Sequence, residues 1–455
     1  MRFELAAAGL GVWLGLLMYS WAQYRGKFDP FEPPNWISLN VYLQVVLNVW
    51  LLQRDHLPVA PWVYNRLEES TTLAVVLFFV SLTVLWIGYA WSYTRLARRP
   101  AFYQFKVGSM RVMATFTIWL VGWVVGVLAT LAGIGSYLGV ATVGGFAWEN
   151  YIFFVYIIAN AAKAALTIHI FRKPSLAGWL WFAFAMLSDV ALSLVNGRKI
   201  FALTMLWTAM YIYYAREKLP KRWLMIGVGL VFLLVPVVNV YRQILLDINS
   251  GKGVEISNRA EVLIQTIGGV AQQPINDLIN ATSSTFQSRQ GSLLDITASV
   301  VVLHPTEIPY IGQEMASWFG NQLIPRVLWP DKPVSRSPFL YITSMYTAAE
   351  WEYSFSTIGL FADSYRAGGW AAVVIWFWLV SMLLVLLYMQ GPGNHNAAGT
   401  VFYISIITQI ITYDQDVSTV LIRLVQFLPL LWIVIFRVMY RNPVADDQNL
   451  TPEVE

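Results

Sequence analysis

About eleven runs of apolar residues, each close to the length that crosses a bilayer as a helix, decide what this chain can fold into. They cover residues 3–21, 36–53, 71–92, 113–134, 150–170, 176–195, 200–215, 223–244, 369–389, 398–413 and 418–438. Of the 455 residues, 57% are hydrophobic and 12% charged. Soluble domains carry roughly twice that charged share, so lipid is the solvent this sequence expects. The fold class is all-α: a polytopic transmembrane helix bundle with one large extracytoplasmic loop that contains short helices. The layout is about eight spans in 1–244, a hydrophilic segment over 245–368, about three spans in 369–441, and a disordered tail over 442–455. The first run reads as a span, because its Tyr/Trp-rich end is no small-residue cleavage site. With no cysteine in the chain, disulfides, thiolate metal sites and Cys nucleophiles are excluded.

Lysine and arginine in short loops orient such a bundle. Arg95, Arg98, Arg99, Lys106 and Arg111 form one basic loop, Arg172 and Lys173 a second, and Arg216, Lys218, Lys221 and Arg222 a third. All three fall on one side, with Arg437 and Arg441, and that side is the cytoplasm. The uncharged stretch 134–148 and the segment 245–368 fall outside. The net charge of +4 needs no nucleic acid to explain it.

The outer segment is too long for a passive connection. Asn258 to Val270 is amphipathic. Asp295 to Leu303 is apolar enough to lie on the membrane surface. Gly312 to Leu323 reads as a short helix that stops before Pro325.

Several cations break the orientation rule. Arg198, Lys199 and Arg242 lie at outer helix ends, and Arg289, Arg326 and Arg366 lie in the outer segment. Arg423 sits within the last span. A charge at a helix centre costs about 2.5–3.5 kcal/mol on insertion scales, so such residues persist where they line a cavity or bind something. A guanidinium pairs well with phosphate oxygens, and an outward array of them suits an anionic lipid-linked ligand. The competing explanation is surface ion pairing, since acids outnumber bases in 245–368. Lys163 reads as a structural cation that snorkels inward. Asp189 reads as a holder of Arg198 or Lys199.

Three stretches carry a family resemblance. They are Asn196-Gly197-Arg198-Lys199, Ile324-Pro325-Arg326-Val327-Leu328-Trp329-Pro330-Asp331-Lys332-Pro333, and Leu360-Phe361-Ala362-Asp363-Ser364-Tyr365-Arg366-Ala367-Gly368-Gly369. Together with many helices and one large outer loop, they resemble the Wzy-type oligosaccharide repeat-unit polymerases of O-antigen and exopolysaccharide synthesis. That resemblance, mainly over 190–370, implies a GT-C-like, metal-independent glycosyltransferase of the bacterial inner membrane, working at the periplasmic face. It would transfer a polyprenyl-pyrophosphate-linked oligosaccharide en bloc onto the nonreducing end of another lipid-linked unit. Implied partners are the lipid-linked oligosaccharide, membrane lipids, a chain-length regulator and a flippase; no cofactor is implied. The pyrophosphate contacts expected are Arg198, Lys199, Arg242, Arg289, Arg326, Arg366 and Arg423.

Such a transfer needs a base for the acceptor hydroxyl. Asp363 is the first candidate, and it could equally be an i,i+3 partner of Arg366. His304 and Glu314 follow, with cap or surface roles as their alternatives. An O-antigen ligase or another GT-C enzyme would share this layout. A lipid-linked glycan transporter would show internal repeats and paired interrupted helices, and neither is evident in the sequence.

Overall fold

In the computed structural model the described residues are 2–46, 67–98, 108–132, 145–197, 200–248, 256–274, 276–278, 280, 294, 296–324, 329, 358–410 and 417–440. In chain order the helices are α1 (Arg2–Arg25), α2 (Pro33–Val41), α3 (Leu67–Leu96), α4 (Val112–Leu131), α5 (Gly145–Arg172), α6 (Leu176–Val195), α7 (Ile200–Arg216), α8 (Lys221–Ile248), α9 (Ile256–Ala271), α10 (Gly312–Leu323), α11 (Leu360–Gln390), α12 (Ala397–Ile410) and α13 (Val417–Ile433). Short π-helical stretches follow α2 and α13, at Tyr42–Val46 and Val434–Met439. Local chemistry explains several starts. Pro33 and Pro34 open α2 at its first two positions, where a missing N–H is harmless. The Ser175 side chain caps α6 by accepting from the Gly178 N–H at 3.1 Å.

Seven helices among the described residues are long and apolar enough to cross a membrane: Glu4–Arg25, Ser70–Leu96, Val112–Leu131, Phe154–Arg172, Leu176–Val195, Lys221–Leu245 and Leu360–Asn394. The chain is therefore an all-α, multi-pass membrane protein. The other four expected spans stand differently. The helix at 200–216 has 17 residues and the one at 397–410 has 14. That at 417–433 also has 17 residues and gives way to π geometry. The 36–53 span is described only to residue 46.

The chain divides into two compact units. The first comprises 1–104, 285–394 and 406–428, and the second comprises 105–284, 395–405 and 429–455. The boundary at 284/285 thus falls inside the hydrophilic segment.

In the first unit α1, α3 and the long arm of α11 run parallel. Trp13 donates to Thr83 Oγ1 at 3.1 Å. Further along, the Trp21 ring meets Trp86, Tyr89 and Tyr93 at 5.4–6.1 Å between centroids. Trp91 and Trp378 lie 5.5 Å apart, and the Tyr388 hydroxyl reaches back to Asp29 at 2.9 Å. Residues 296–303 are helical and almost wholly buried here, with Ile296, Thr297, Ala298, Ser299, Val300 and Val301 all inside. The expectation that Asp295–Leu303 lies on the membrane surface is thus corrected. Ile296, Ala298, Val300 and Val301 supply the apolar surface that a buried helix needs.

In the second unit the basic helix ends gather. Arg172 donates to the Tyr214 carbonyl at 3.2 Å, and Arg216 sits over the Phe171 ring at 4.9 Å. The Arg111 N–H donates to the Met439 carbonyl at 2.7 Å. Asn196 and Thr130 mark the opposite end, joined at 2.9 Å. There Tyr241 donates to the Val195 carbonyl at 3.1 Å.

Candidate functional site

The site begins with a break in α11. Gly368 (φ 178°, ψ 32°) and Gly369 (φ 66°, ψ −151°) are not helical. The chain reverses there. The Phe361 and Phe377 rings stack at 5.0 Å, and the Tyr365 and Trp370 rings meet at 5.3 Å. In a straight helix the first pair would lie about 24 Å apart. So Leu360–Ala367 folds back along the membrane-spanning arm as a re-entrant turn of helix. A left-handed φ at Gly369 is open to glycine and strained for other residues. Its neighbourhood adds a second demand, because a Cβ there would lie 2.6 Å from the Tyr310 hydroxyl.

A broken helix leaves carbonyls unpaired, and in a membrane they must be satisfied by protein or by a water-lined cavity. The Arg366 carbonyl accepts from the Ile311 N–H at 3.1 Å. Residue 311 precedes α10, which packs against this arm. Gly312 permits the approach, since a Cβ there would sit 2.5 Å from the Ala367 carbonyl oxygen.

The re-entrant arm carries Asp363 and Arg366. Both are buried, at 0% and 3% exposure. Arg366 donates from Nε at 3.0 Å and from Nη2 at 2.5 Å, both to Asp363 Oδ1. The other oxygen, Oδ2, accepts from the Val417 N–H at 2.8 Å. Val417 opens α13, so Asp363 satisfies an orphan donor and complements the positive end of that helix. Both carboxylate oxygens are thereby engaged.

His304 ends the buried helical stretch 296–303 and is itself 2% exposed. Its ring lies parallel to Tyr310 at 6.0 Å. Burial holds its pKa below the usual imidazole range and the Arg366 charge adds to this, while hydrogen bonding at the backbone of Ile308 and Pro309 opposes. The imidazole is therefore neutral at pH 7.

The other expected residues fall elsewhere. Glu314 is exposed in the first turn of α10. Arg242 lies in the second unit, where its Nε donates to the Gly197 carbonyl at 2.6 Å. Arg198, Lys199, Arg289 and Arg326 lie outside the described residues, as does the side chain of Arg423 on α13. The structure thus brings together Asp363, Arg366 and His304. Tyr310, Tyr365 and the Val417 amide join them without having been anticipated. The Gly368-Gly369 pair was the available signal, since two glycines inside a helical pattern mark a possible interruption.

Lys163 does not snorkel. It is 4% exposed, and its Nζ lies 2.5 Å from Asp189 Oδ2. The partner of Asp189 here is Lys163 on the neighbouring helix, a pairing that residue spacing cannot reveal.

The chain matches no family model, no curated protein and no solved structure.

Proposed function

We propose that this chain is a lipid-linked oligosaccharide polymerase, a glycosyltransferase of the bacterial inner membrane whose site faces the periplasm. The observation that carries the reading is the Asp363–Arg366 pair on a re-entrant arm, beside a neutral His304. A guanidinium held in one place suits a pyrophosphate leaving group. The gathering of basic helix ends within the second unit agrees with a cytoplasmic face there.

In this mechanism the acceptor hydroxyl oxygen attacks the anomeric carbon of the donor sugar. The anomeric C–O bond breaks, and the pyrophosphate departs with the electron pair. Arg366 neutralises the developing charge. His304 takes the hydroxyl proton. Asp363, with both oxygens occupied, is a positioning residue that fixes the guanidinium. A ligase would use the same chemistry on a different acceptor.

The break in α11 also favours a second reading, transport of a lipid-linked glycan, because interrupted helices line transporter sites. Proteoliposomes supplied with lipid-linked repeat units and no nucleotide sugar separate the two. The polymerase reading expects a ladder of chain lengths that Arg366→Gln abolishes. Lipid crossing the bilayer with no ladder would replace it with the transport reading.

A further inference from the structure

A second polar cluster lies at the other end of the first unit, in the turn between α1 and α2. Asp29 and Glu32 are 3% and 1% exposed. Asp29 Oδ2 accepts from the Tyr388 hydroxyl at 2.9 Å, and its Oδ1 accepts from the Phe31 N–H at 2.9 Å. Glu32 Oε1 accepts from the Tyr89 hydroxyl at 3.0 Å. The nearest guanidinium, Arg25, stands 4.0 Å from Glu32 Oε1, with its side chain 10% exposed. It lies over the Tyr93 ring at 4.3 Å and the Tyr388 ring at 5.8 Å.

The charges do not balance. The groups facing the two carboxylates are Arg25 and Trp21 from α1, Tyr89 from α3, and Tyr388 from α11. Lys27 acts on Asp29 from an exposed position in the turn. The adjoining stretch Tyr42–Val46 brings no charge. Two buried acids therefore share one largely enclosed cation, Arg25, with Lys27 acting from the surface. Buried charge of one sign is expensive, and the usual remedy is a proton. A second observation points the same way. Arg25 Nε is buried beside Glu32 and makes no hydrogen bond, standing 4.0 Å from Oε1. A carboxylate committed to its charged form would draw such a donor in.

We propose that the Asp29–Glu32 pair is a proton-binding site, holding one exchangeable proton between two carboxylates and one guanidinium. Burial raises both groups, Glu32 to about 7, against the lowering influence of Arg25 on Glu32. Because the two interact, the titration belongs to the pair. The site has a mechanical connection. Tyr388, which donates to Asp29, ends the spanning arm whose other end carries the re-entrant turn. A change in the charge of Asp29 therefore alters a hydrogen bond made by α11, the helix that also bears Arg366.

The test is infrared difference spectroscopy on the full-length protein in lipid, titrated from about pH 5 to 9. The expected result is a protonated-carboxyl stretch that is present in acid, fades around neutral pH, and disappears in Asp29→Asn/Glu32→Gln. If that variant does not fold, Tyr89→Phe serves instead. It removes a donor to charged Glu32 and should move the midpoint upward. A band that survives the double substitution, a spectrum with no titrating carboxyl, or a midpoint unmoved by Tyr89→Phe would each overturn the proposal.

Discussion

The two ends of the spanning arm of α11 each carry a buried polar cluster, and the clusters are built on opposite principles. At the re-entrant end one acid meets one base, with the amide that opens α13 as a further donor. At the other end two acids share one distant base and two tyrosine hydroxyls. The balanced cluster fixes a cation in position. The unbalanced cluster leaves a place for a proton. Charge count inside the protein, more than residue type, separates a binding group from a titrating one.

Removing one partner of the balanced pair gives the largest expected effect. Asp363→Ala strands a buried guanidinium, and Arg366→Ala strands a carboxylate. Either should destabilise by about 3–5 kcal/mol, seen as a large fall in melting temperature in detergent. The double variant Asp363→Leu/Arg366→Met should recover most of that stability. A double variant as unstable as the singles would contradict the pairwise account.

Next in size is the helix break. Gly369→Ala puts a side chain in a backbone region that only glycine adopts freely and meets the Tyr310 hydroxyl, with an expected loss of about 1–3 kcal/mol from the backbone alone. Removing the obstructing hydroxyl in Tyr310→Phe/Gly369→Ala should restore part of the loss.

The smallest of the substitutions is Tyr388→Phe. It deletes one hydrogen bond to Asp29 and should change stability by about 0.5–1.5 kcal/mol. Its diagnostic is the pH dependence of the change. The bond matters most when Asp29 is charged, so the loss should grow as pH rises.

The two ends should also answer pH with opposite signs. His304 has a lowered folded pKa, so the unfolded state binds its proton first and stability falls as pH drops below about 6.5. Glu32 is raised from 4.5 to about 7, so the folded state holds its proton longer and stability falls as pH rises through that window. Melting curves of His304→Gln should lose the acid-side decline, and those of Glu32→Gln the decline toward alkaline pH. The same slope in both variants would remove the distinction between the ends.

The apolar runs, the all-α class and the helix at Gly312–Leu323 could be read from the sequence, because hydrophobic length and proline are local signals. So could the pairing of Asp363 with Arg366, three residues apart. The fold-back at Gly368-Gly369 was hidden by apolar residues continuing on its far side. The Val417 amide lies 54 positions from Asp363, and Tyr388 lies 359 positions from Asp29. No local pattern reports such distances. Asp29 and Glu32 carry no local signal of burial, because nothing in their sequence neighbourhood shows that distant helices close over them.

In the proposed mechanism Arg366, held by Asp363 at the break in α11, meets a pyrophosphate. The most direct measurement of that contact is the affinity of the purified protein for polyprenyl pyrophosphate, compared with that of folded Asp363→Leu/Arg366→Met. Loss of tenfold or more in the variant, with helicity and melting preserved, is the predicted result. Equal affinity in the two proteins would contradict it.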